Sequence, residues 1–369
     1  MARGMANGSK KVRYALIGAG NIAQVAVLPA FKHAKSNSEL VAVISNDPEK
    51  RLQLSKDYDL KLFGDYDDLE SILEQGAIDA LYVSTPNALH KECVLRAAAA
   101  GVHVLCEKPL ATSVADCEQM ADACAKAGVK LMVAYRLHFE EANLKAQELA
   151  KFGKIGDPRL FESVFSHVVR PGDIRERADL GGGAVYDLGV YCINAARNLF
   201  RDEPVLVFAV AQFRDGVDDT TTATLQFPRG RVAQFTVSNS LAAVSSYRVV
   251  GTDGDLRVEP AYEYFDKLEH HLTVDGKVSH ESFGKRDQFA PELEYFSSCI
   301  LNDREPEPNA EEGIDDLRVV EAILESARSG KCVPLEPRQR ARRPDMSQES
   351  KKPAVGKEQP VNAPSPSLK

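Results

Sequence analysis

Residues 12–23 read VRYALIGAGNIA, and this stretch decides the fold. Val12–Ile17 has the length and the mostly apolar composition of a buried strand. It passes directly into GAGNIA at residues 18–23, and a helical pattern follows. A strand, a glycine-rich turn and a helix in this order form the fingerprint of dinucleotide-binding folds, which allows alanine in the third small position. The stretch therefore predicts a Rossmann-type domain.

Two glycines and the two residues after them carry the expected contacts with the dinucleotide. Gly18 permits the tight turn after the strand, and Gly20 lets the backbone approach the pyrophosphate. Asn21 and Ile22 open the helix, whose N-terminal amides and positive dipole end favour phosphate. The motif alone is a weak signal, but the flanking strand and helix and a second strand at residues 40–44 make it strong.

The end of that second strand indicates which nicotinamide cofactor binds. An NAD enzyme usually has an acidic residue here to hold the ribose hydroxyls, whereas this chain has Ser45 followed by an asparagine. Asp47 precedes a proline and is expected to cap the next helix, with Lys50 and Arg51 one turn into it. Because a serine and nearby cations suit a 2′-phosphate, we expect NADP, with Ser45 and Lys50 as contacts. In the alternative interpretation, Lys50 and Arg51 form a solvated helix face and Asp47 binds the ribose.

Further candidate contacts lie at the ends of two later predicted strands. Strands that alternate with helices predict a doubly wound parallel sheet, which binds ligands at the carboxyl ends of its strands. The candidates at those ends are Thr85, Pro86, Asn87, His90, Glu107 and Lys108. Lys108 can carry charge to a nicotinamide, or it is a surface lysine in a turn. His90 contacts the cofactor or has a packing or capping role.

Three consecutive glycines at residues 181–183 mark a second loop, since their backbone entropy does not suit the middle of a helix or strand. We expect the backbone of this loop to lie close against a ligand. A helical pattern follows, in which Asp187 and Tyr191 lie one turn apart on the same face. A carboxylate and a phenol at that spacing are a candidate acid/base pair. The alternative is a buried tyrosine that is hydrogen-bonded to an N-terminal aspartate.

Composition limits the class of protein. The chain has 369 residues, of which 44% are hydrophobic and 27% charged, as in soluble globular proteins of two domains. A net charge of −8 does not suit a partner such as nucleic acid or an anionic membrane, and no apolar run is long enough to span a bilayer. The seven cysteines have neither CxxC nor zinc spacing. We therefore expect reduced thiols, no metal site and a cytoplasmic protein.

The chain divides into four predicted segments. Residues 1–11 are expected to be a flexible arm without a secretory signal, and residues 12–134 the dinucleotide-binding domain. Residues 135–336 contain a run of strands flanked by helices, which predicts an α+β domain with a large, open, mostly antiparallel sheet. Residues 337–369 are basic and rich in Pro, Ser, Gln and Lys, which predicts a disordered tail. A position of this tail across a neighbouring subunit is the alternative.

Several short motifs, in their order and spacing, resemble the glucose–fructose oxidoreductase / inositol dehydrogenase (Gfo/Idh/MocA) family, and the resemblance extends over residues 10–336. The matching motifs are at residues 18–23, 84–87, 89–90, 100–104, 107–109, 153–156, 181–184, 187–189 and 313–334. The resemblance implies a nicotinamide-dependent oxidoreductase that associates through the open sheet of its second domain. A homodimer or homotetramer is therefore expected.

Within that family, the motifs are most similar to the glucose–fructose oxidoreductase branch. Most members have a histidine at the position of Tyr191, and tyrosine there resembles this branch. Residues 134–139 also resemble it, which implies that Arg136 contacts the cofactor and that the cofactor is NADP. Arg175 lies where the family often has a substrate-facing arginine, with an exposed loop charge as the alternative.

These observations lead to the hypothesis of hydride transfer between NADP and C1 of an aldose, giving a lactone, with coupled reduction of a ketose as an extension. Tyr191 accepts the proton of the C1 hydroxyl. Because a phenol ordinarily has a pKa of about 10, Lys108 supplies a stabilising cation. Asp187 holds a sugar hydroxyl or orients the pair, and Arg175 binds the substrate. The alternatives are a dehydrogenase of a dihydrodiol or phosphorylated sugar, and a catalytically silent NADP-binding regulator.

Overall fold

The computed structural model describes residues 11–356 and 358–368, so the expected N-terminal arm lies almost entirely outside the described part. The strands are β1 (Val12–Ile17), β2 (Ser38–Ile44), β3 (Leu62–Gly64), β4 (Ala80–Val83), β5 (His103–Glu107), β6 (Leu131–Ala134), β7 (Pro158–Val169), β8 (Leu206–Arg214), β9 (Val217–Phe227), β10 (Arg231–Ser238), β11 (Ser240–Gly251), β12 (Gly254–Val258), β13 (Leu268–Val274), β14 (Lys277–Phe283), β15 (Val333–Pro334) and β16 (Ser367–Leu368). The α-helices are α1 (Leu28–Ala30), α2 (Pro48–Asp57), α3 (Leu69–Glu74), α4 (His90–Ala99), α5 (Val114–Ala127), α6 (Glu141–Lys151), α7 (Val190–Phe200), α8 (Ala290–Leu301) and α9 (Ala310–Ser329). Over these ranges, no helix combines the length and apolarity that crossing a membrane requires.

The chain forms two compact units, and the first contains the described residues up to Arg136 together with Asp287–Ile314 and Lys351–Ser365. Its described strands form a six-stranded sheet in the order β3-β2-β1-β4-β5-β6, in which every pairing is parallel. The strand order reverses on either side of β1, which is the doubly wound arrangement. The predicted Rossmann-type sheet is therefore confirmed.

The middle position of β1 follows from its apolar composition, because a strand that is covered on both faces must bury side chains of both orientations. Tyr14 and Leu16 on one face and Ala15 on the other are all fully buried. The Tyr14 hydroxyl is satisfied by Ser297 Oγ of α8 at 2.8 Å. Residues 287–314, far from β1 in sequence, thus complete the core of the first unit.

The second unit contains Leu137–Arg286, Asp315–Ser350 and the described residues after Ser365. Its described strands form one sheet in the order β14-β13-β12-β11-β7-β10-β9-β8-β15, with β16 paired to β7. The β7–β10 pairing is parallel and the others are antiparallel. The predicted large, mostly antiparallel sheet is therefore confirmed.

This large sheet differs between its two faces. Helix α7 packs against β7 and β10. Along β8, Val207 and Ala209 are buried, whereas Phe208 and Val210 are exposed. Because alternate residues of a strand point to opposite faces, the described part of the second unit leaves an apolar strip of β8 uncovered.

Two buried carboxylates hold the first part of the C-terminal segment. Arg343 donates a hydrogen bond to Glu203 at 2.8 Å, and Arg338 donates one to Asp315 at 2.8 Å. Composition predicts disorder for residues 337–369. It does not show which buried carboxylates elsewhere in the chain need a positively charged partner. A buried carboxylate is costly unless it is paired, so these arginines have a defined place in the structure.

Candidate active site

The glycine loop after β1 contains one packed glycine and one open glycine. Gly18 has a φ of +94°, and a Cβ added to it would lie 2.5 Å from backbone atoms of Ser84 and Thr85. Only glycine fits that position. At Gly20, by contrast, no described atom lies within 4 Å of an added Cβ. Gly20 therefore keeps clear the space beside the backbone that the approach of a pyrophosphate requires.

The helix that follows this loop begins with wide turns. Ala23–Val27 is π-helical and continues into α1. π-helical turns are uncommon and occur often at functional sites. Asn21 and Ile22 at the helix start are only half-buried, and backbone amides at such a start favour phosphate. Together with the open side of Gly20, this helix start fits a dinucleotide pyrophosphate.

The end of β2 has the arrangement that its sequence predicts. Asp47 Oδ1 accepts hydrogen bonds from the backbone amides of Glu49 at 2.9 Å and Lys50 at 3.1 Å, so it caps α2. The Arg51 guanidinium donates to the Ser45 carbonyl oxygen at 2.7 Å. The Lys50 ammonium makes no hydrogen bond or ion pair with another described residue. Lys50 is therefore the cation that remains available at this strand end.

His90 links the two strand ends that carry the other predicted contacts. It is buried, with Nδ1 3.0 Å from the carbonyl oxygen of Pro109 and Nε2 3.0 Å from that of Thr85. Burial lowers the pKa of His90, and a neutral ring has one N–H, so it donates to one of these carbonyls at a time. Because both ring nitrogens face backbone carbonyls, the structure favours the packing role over direct contact with a cofactor. His90 thereby positions the loop that carries Lys108.

Polar and charged side chains cluster at the end of β5. Tyr82 donates a hydrogen bond to Glu107 Oε1 at 2.8 Å, and burial raises the pKa of Glu107. Arg136 is buried and donates to the side chain of Gln288. Glu292 is fully buried without a hydrogen-bond partner among the described residues, and burial raises its pKa well above the usual range. Burial thus favours the neutral form of both carboxyl groups.

The three consecutive glycines of the second unit are packed against the protein itself. A Cβ added to Gly182 would lie 2.5 Å from the carbonyl oxygen of Arg175. Gly183 has a φ of +129°, and its added Cβ would lie 2.3 Å from Asp218 Oδ1. Asp218 Oδ2 accepts a hydrogen bond from the Val185 amide at 2.9 Å. Close packing within the protein thus explains why both positions are glycine. The expected approach of a ligand to the loop backbone is not needed to explain them.

Asp187 lies on the π-helical segment Val185–Gly189 that follows this loop. Arg175 Nε donates to Asp187 Oδ2 at 2.5 Å, and Arg175 Nη1 donates to Asp173 at 3.0 Å. His167 Nε2 of β7 lies 3.9 Å from the same Asp187 oxygen. The Arg175 guanidinium fixes the orientation of this carboxylate, which suits hydrogen bonding to a polar ligand. Arg175 is therefore ion-paired rather than an exposed loop charge.

Tyr191 lies on α7, directly after the π-helical segment, and is half-buried. Its ring centroid is 5.6 Å from that of Phe165 and 6.0 Å from that of Tyr262. These aromatic contacts restrict the ring of Tyr191. Asp187 and Tyr191 are thus on one continuous helical run, as the sequence spacing predicts.

The structure assembles the predicted residues in two groups, one in each unit. In the first unit, β2, β1, β4 and β5 are adjacent and parallel, so the loops at their carboxyl ends are neighbours. The residues in or beside those loops are Gly18, Gly20, Asn21, Ile22, Ser45, Lys50, Thr85, Pro86, Asn87, His90, Glu107 and Lys108. In the second unit, Arg175 and Asp187 are in contact, and Tyr191 follows on the same helical run.

Sequence reasoning did not identify His167, Asp218 or Glu292. His167 lies in an apolar stretch that predicts only a strand, and Asp218 lies 35 residues beyond Gly183 in a strand that carries no motif. Glu292 is in an apolar helical stretch, where a glutamate is unusual enough to be a usable signal. The other two required knowledge of the strand register, which a single sequence does not contain.

Two family models match adjacent parts of the chain. Residues 12–135 match the GFO/IDH/MocA model described as an oxidoreductase family with an NAD-binding Rossmann fold. Residues 143–257 match the GFO/IDH/MocA C-terminal domain model. The two ranges together cover well over half of the chain.

Curated proteins and solved structures extend the similarity to nearly the whole chain. The D-xylose 1-dehydrogenase (NADP(+)) of Haloarcula marismortui is 32% identical over 88% of this chain and 93% of its own length. The D-xylose 1-dehydrogenase (NADP(+)) 2 of Haloferax volcanii is 35% identical over 88% of this chain and 99% of its own. The crystal structure of aldose-aldose oxidoreductase from Caulobacter crescentus, complexed with glycerol, is 36% identical with a TM-score of 0.84, and the match covers 88% of this chain and 100% of that one. This chain therefore belongs to the Gfo/Idh/MocA family of oxidoreductases, as its motifs predict.

Proposed function

We propose that this protein is an NADP-dependent oxidoreductase that oxidises an aldose at C1 to a lactone. The observation that carries the proposal is Asp187, held by Arg175 at 2.5 Å on the helical run that also presents Tyr191. This arrangement offers a fixed carboxylate and a phenol to neighbouring hydroxyls of one polyol. The relatives support the substrate class, since two are D-xylose 1-dehydrogenases and the third is an aldose-aldose oxidoreductase.

The first unit contains the residues that would hold the cofactor. When bound, NADP accepts the hydride that leaves C1. The open side of Gly20 and the helix start at Asn21 receive the pyrophosphate. Lys50 is the available cation for the 2′-phosphate, because Asp47 is occupied as a helix cap. This arrangement supports NADP over NAD, in agreement with the cofactor named for both xylose dehydrogenases.

Tyr191 is the proposed acceptor of the C1 hydroxyl proton. A phenol is a weak base at neutral pH unless its anion is stabilised. We assign that stabilisation to the Lys108 ammonium, which belongs to the EKP motif of the first unit. Asp187 accepts a hydrogen bond from a second sugar hydroxyl, and Arg175 fixes its orientation.

The Tyr191→Phe variant tests this function directly. Loss of the general base is expected to lower kcat with D-xylose or D-glucose about 10²- to 10⁴-fold. NADPH affinity and the melting temperature should remain those of the wild type, because the ring and its aromatic contacts are kept. Tyr186→Phe, on the same helical segment, is the matched control and should retain full activity. Wild-type turnover by Tyr191→Phe would exclude the proposed role.

The aldose-aldose oxidoreductase relative favours a second half-reaction. We extend the proposal to reoxidation of the bound cofactor by a second sugar, either an aldose or a ketose. A single-turnover experiment distinguishes this from simple dehydrogenase activity. Enzyme reduced by one sugar and separated from it should be reoxidised when a second sugar is added without free NADP.

We also propose that the protein is a homodimer or homotetramer that associates through the open face of the large sheet. The exposed Phe208 and Val210 of β8 support this, since apolar side chains in a strip favour burial against a partner. Analytical ultracentrifugation of the wild type should give twice or four times the chain mass. The Val210→Glu variant should sediment as smaller species, and an unchanged oligomer would place the interface elsewhere.

A further inference from the structure

Residues 351–365 belong to the first unit, and part of this segment reaches the carboxyl ends of β1 and β2, where the dinucleotide is expected. Lys352 near the beginning of this segment donates to Glu294 at 2.7 Å, and Lys32 pairs with Glu358 at 3.4 Å. The segment then reaches the two helix starts that surround the cofactor site. Its residues 361–363, here called the clasp, make the contacts with these helix starts.

Gln24, on the helix after the glycine loop, holds the clasp through its backbone. Its amide nitrogen donates to the Val361 carbonyl oxygen at 3.0 Å, and its amide oxygen accepts from the Val361 N–H at 2.8 Å. Gln24 is only 4% exposed, and both hydrogen bonds to the half-buried Val361 are partly buried. A side-chain amide that pairs with both polar groups of one residue fixes that residue as a neighbouring strand would.

Asn21 and Ala363 bring the clasp next to the glycine loop. Asn21 directly follows Gly20, and its side chain donates to the Ala363 carbonyl oxygen at 2.8 Å. Ala363 is 6% exposed and is thus packed against the unit rather than loosely attached. The space at Gly20 nevertheless remains clear of all described atoms within 4 Å of an added Cβ. The clasp therefore adjoins the pyrophosphate position without filling it.

Asn362 connects the clasp to the second helix start, where the 2′-phosphate is expected. Its side-chain nitrogen lies 3.2 Å from Asp47 Oδ2 and 2.8 Å from Glu49 Oε2. Its φ is +46°, a conformation that asparagine tolerates better than most residues. Because of this turn, the Asn362 side chain contacts the start of α2. Val361 and Ala363, on either side of it, contact the helix start after β1.

We propose that the clasp closes over the adenosine end of bound NADP and slows its release. In this fold the helix starts after β1 and β2 flank the adenosine and its phosphates, and the clasp is hydrogen-bonded to both. A nucleotide held there leaves only after contacts to Gln24, Asn21 and Asp47 open. The inference rests on the proposed function and adds to it, because a retained cofactor must be reoxidised in place by a second sugar.

The test measures NADPH release without any sugar. Full-length protein is loaded with NADPH, chased with excess NADP, and the loss of bound-nucleotide fluorescence is followed by stopped flow. The variants are a chain that ends after Ser350, which keeps Arg338 and Arg343 in their ion pairs, and Asn362→Gly, which keeps the positive φ. Gln359→Ala changes an exposed residue of the same segment and is the control.

We expect the shortened chain to release NADPH about tenfold to a hundredfold faster, as the loss of several hydrogen bonds implies. Asn362→Gly should release it a few-fold faster, and Gln359→Ala at the wild-type rate. The Val361 amide should exchange with deuterium more slowly once NADPH is bound. If the shortened chain folds and its release rate equals that of the wild type, the clasp does not retain the cofactor.

Two other outcomes would also contradict the proposal that the clasp retains the cofactor. Tighter NADPH binding by the shortened chain would mean that the segment competes with the cofactor for its site. If the wild type did not bind NADPH, both the role of the clasp and the proposed cofactor would be excluded. If NADPH bound normally and the shortened chain released it at the wild-type rate, only the role of the clasp would be excluded. The proposed function would then still stand.

Discussion

The two glycine loops of this protein look alike in sequence but use their glycines differently. Residues 18–20 follow β1 and residues 181–183 precede Asp187, and each loop runs into a π-helical segment. In the first loop, Gly20 borders open space. In the second, Gly182 and Gly183 are in contact with the protein's own atoms. Gly20 thus provides room for a ligand, whereas Gly18 and the two glycines of the second loop allow close internal packing.

The difference has a chemical consequence in each unit. An open backbone offers amide groups to an external anion, so the first loop serves binding. A closely packed backbone fixes the position of the residues after it, so the second loop serves the orientation of Asp187 and Tyr191. Substitution of Gly20 should therefore affect affinity, and substitution of Gly182 or Gly183 should affect stability.

Gly183→Ala should have the largest effect on stability. The added Cβ would lie 2.3 Å from Asp218 Oδ1, at a φ of +129° that alanine rarely adopts. We expect the free energy of unfolding to fall by about 3 kcal/mol or more, measured by urea denaturation. A loss below about 1 kcal/mol would mean that the loop yields easily, and the contrast between the loops would disappear.

Asp218, the partner of that loop, should make stability depend on pH. Burial raises its pKa to about 6 despite the hydrogen bonds from Val185 and Thr221. Because the folded state then holds a proton that the unfolded state loses, stability falls as pH rises from about 4 to about 6. Relative to Asp218→Asn, the wild type should lose about 2–3 kcal/mol of unfolding free energy over that range. Parallel pH profiles for the two proteins would contradict this.

Gly20→Ala should weaken nucleotide binding and leave the fold intact. No described atom obstructs the added methyl group, so the melting temperature should stay close to that of the wild type. The methyl group would occupy the space reserved for the pyrophosphate, and we expect at least about tenfold weaker NADPH binding by fluorescence titration. Unchanged affinity would show that the open glycine is not a phosphate contact.

His167→Gln should have the smallest effect. His167 lies 3.9 Å from the Asp187 carboxylate, which is beyond hydrogen-bond distance. The orientation of that carboxylate is already fixed by Arg175. We expect kcat/KM for an aldose to fall less than about tenfold, with no change in NADPH affinity. A loss as large as that of Tyr191→Phe would instead place His167 among the reacting groups.

The two loops also show which features of this structure can be predicted from the sequence and which cannot. The glycine turn after β1, the helix cap at Asp47 and the individual strands follow from local patterns, because each is recognised from neighbours in sequence. The role of Gly183 depends on Asp218, and the place of Asn362 depends on Asp47, more than 300 residues away. Composition predicts disorder for the tail because it counts residue types and does not contain such distant pairings.

One measurement tests the central claim, that the open glycine loop serves NADP and the packed loop serves sugar oxidation. The purified protein is denatured to identify any released nucleotide, and native protein with NADP is mixed with D-xylose, D-glucose or D-fructose while nicotinamide absorbance is followed. We predict that the protein binds NADP(H), that an aldose reduces the bound NADP and that a second sugar reoxidises it. Binding of NAD alone, or NADP that no aldose reduces, would contradict it.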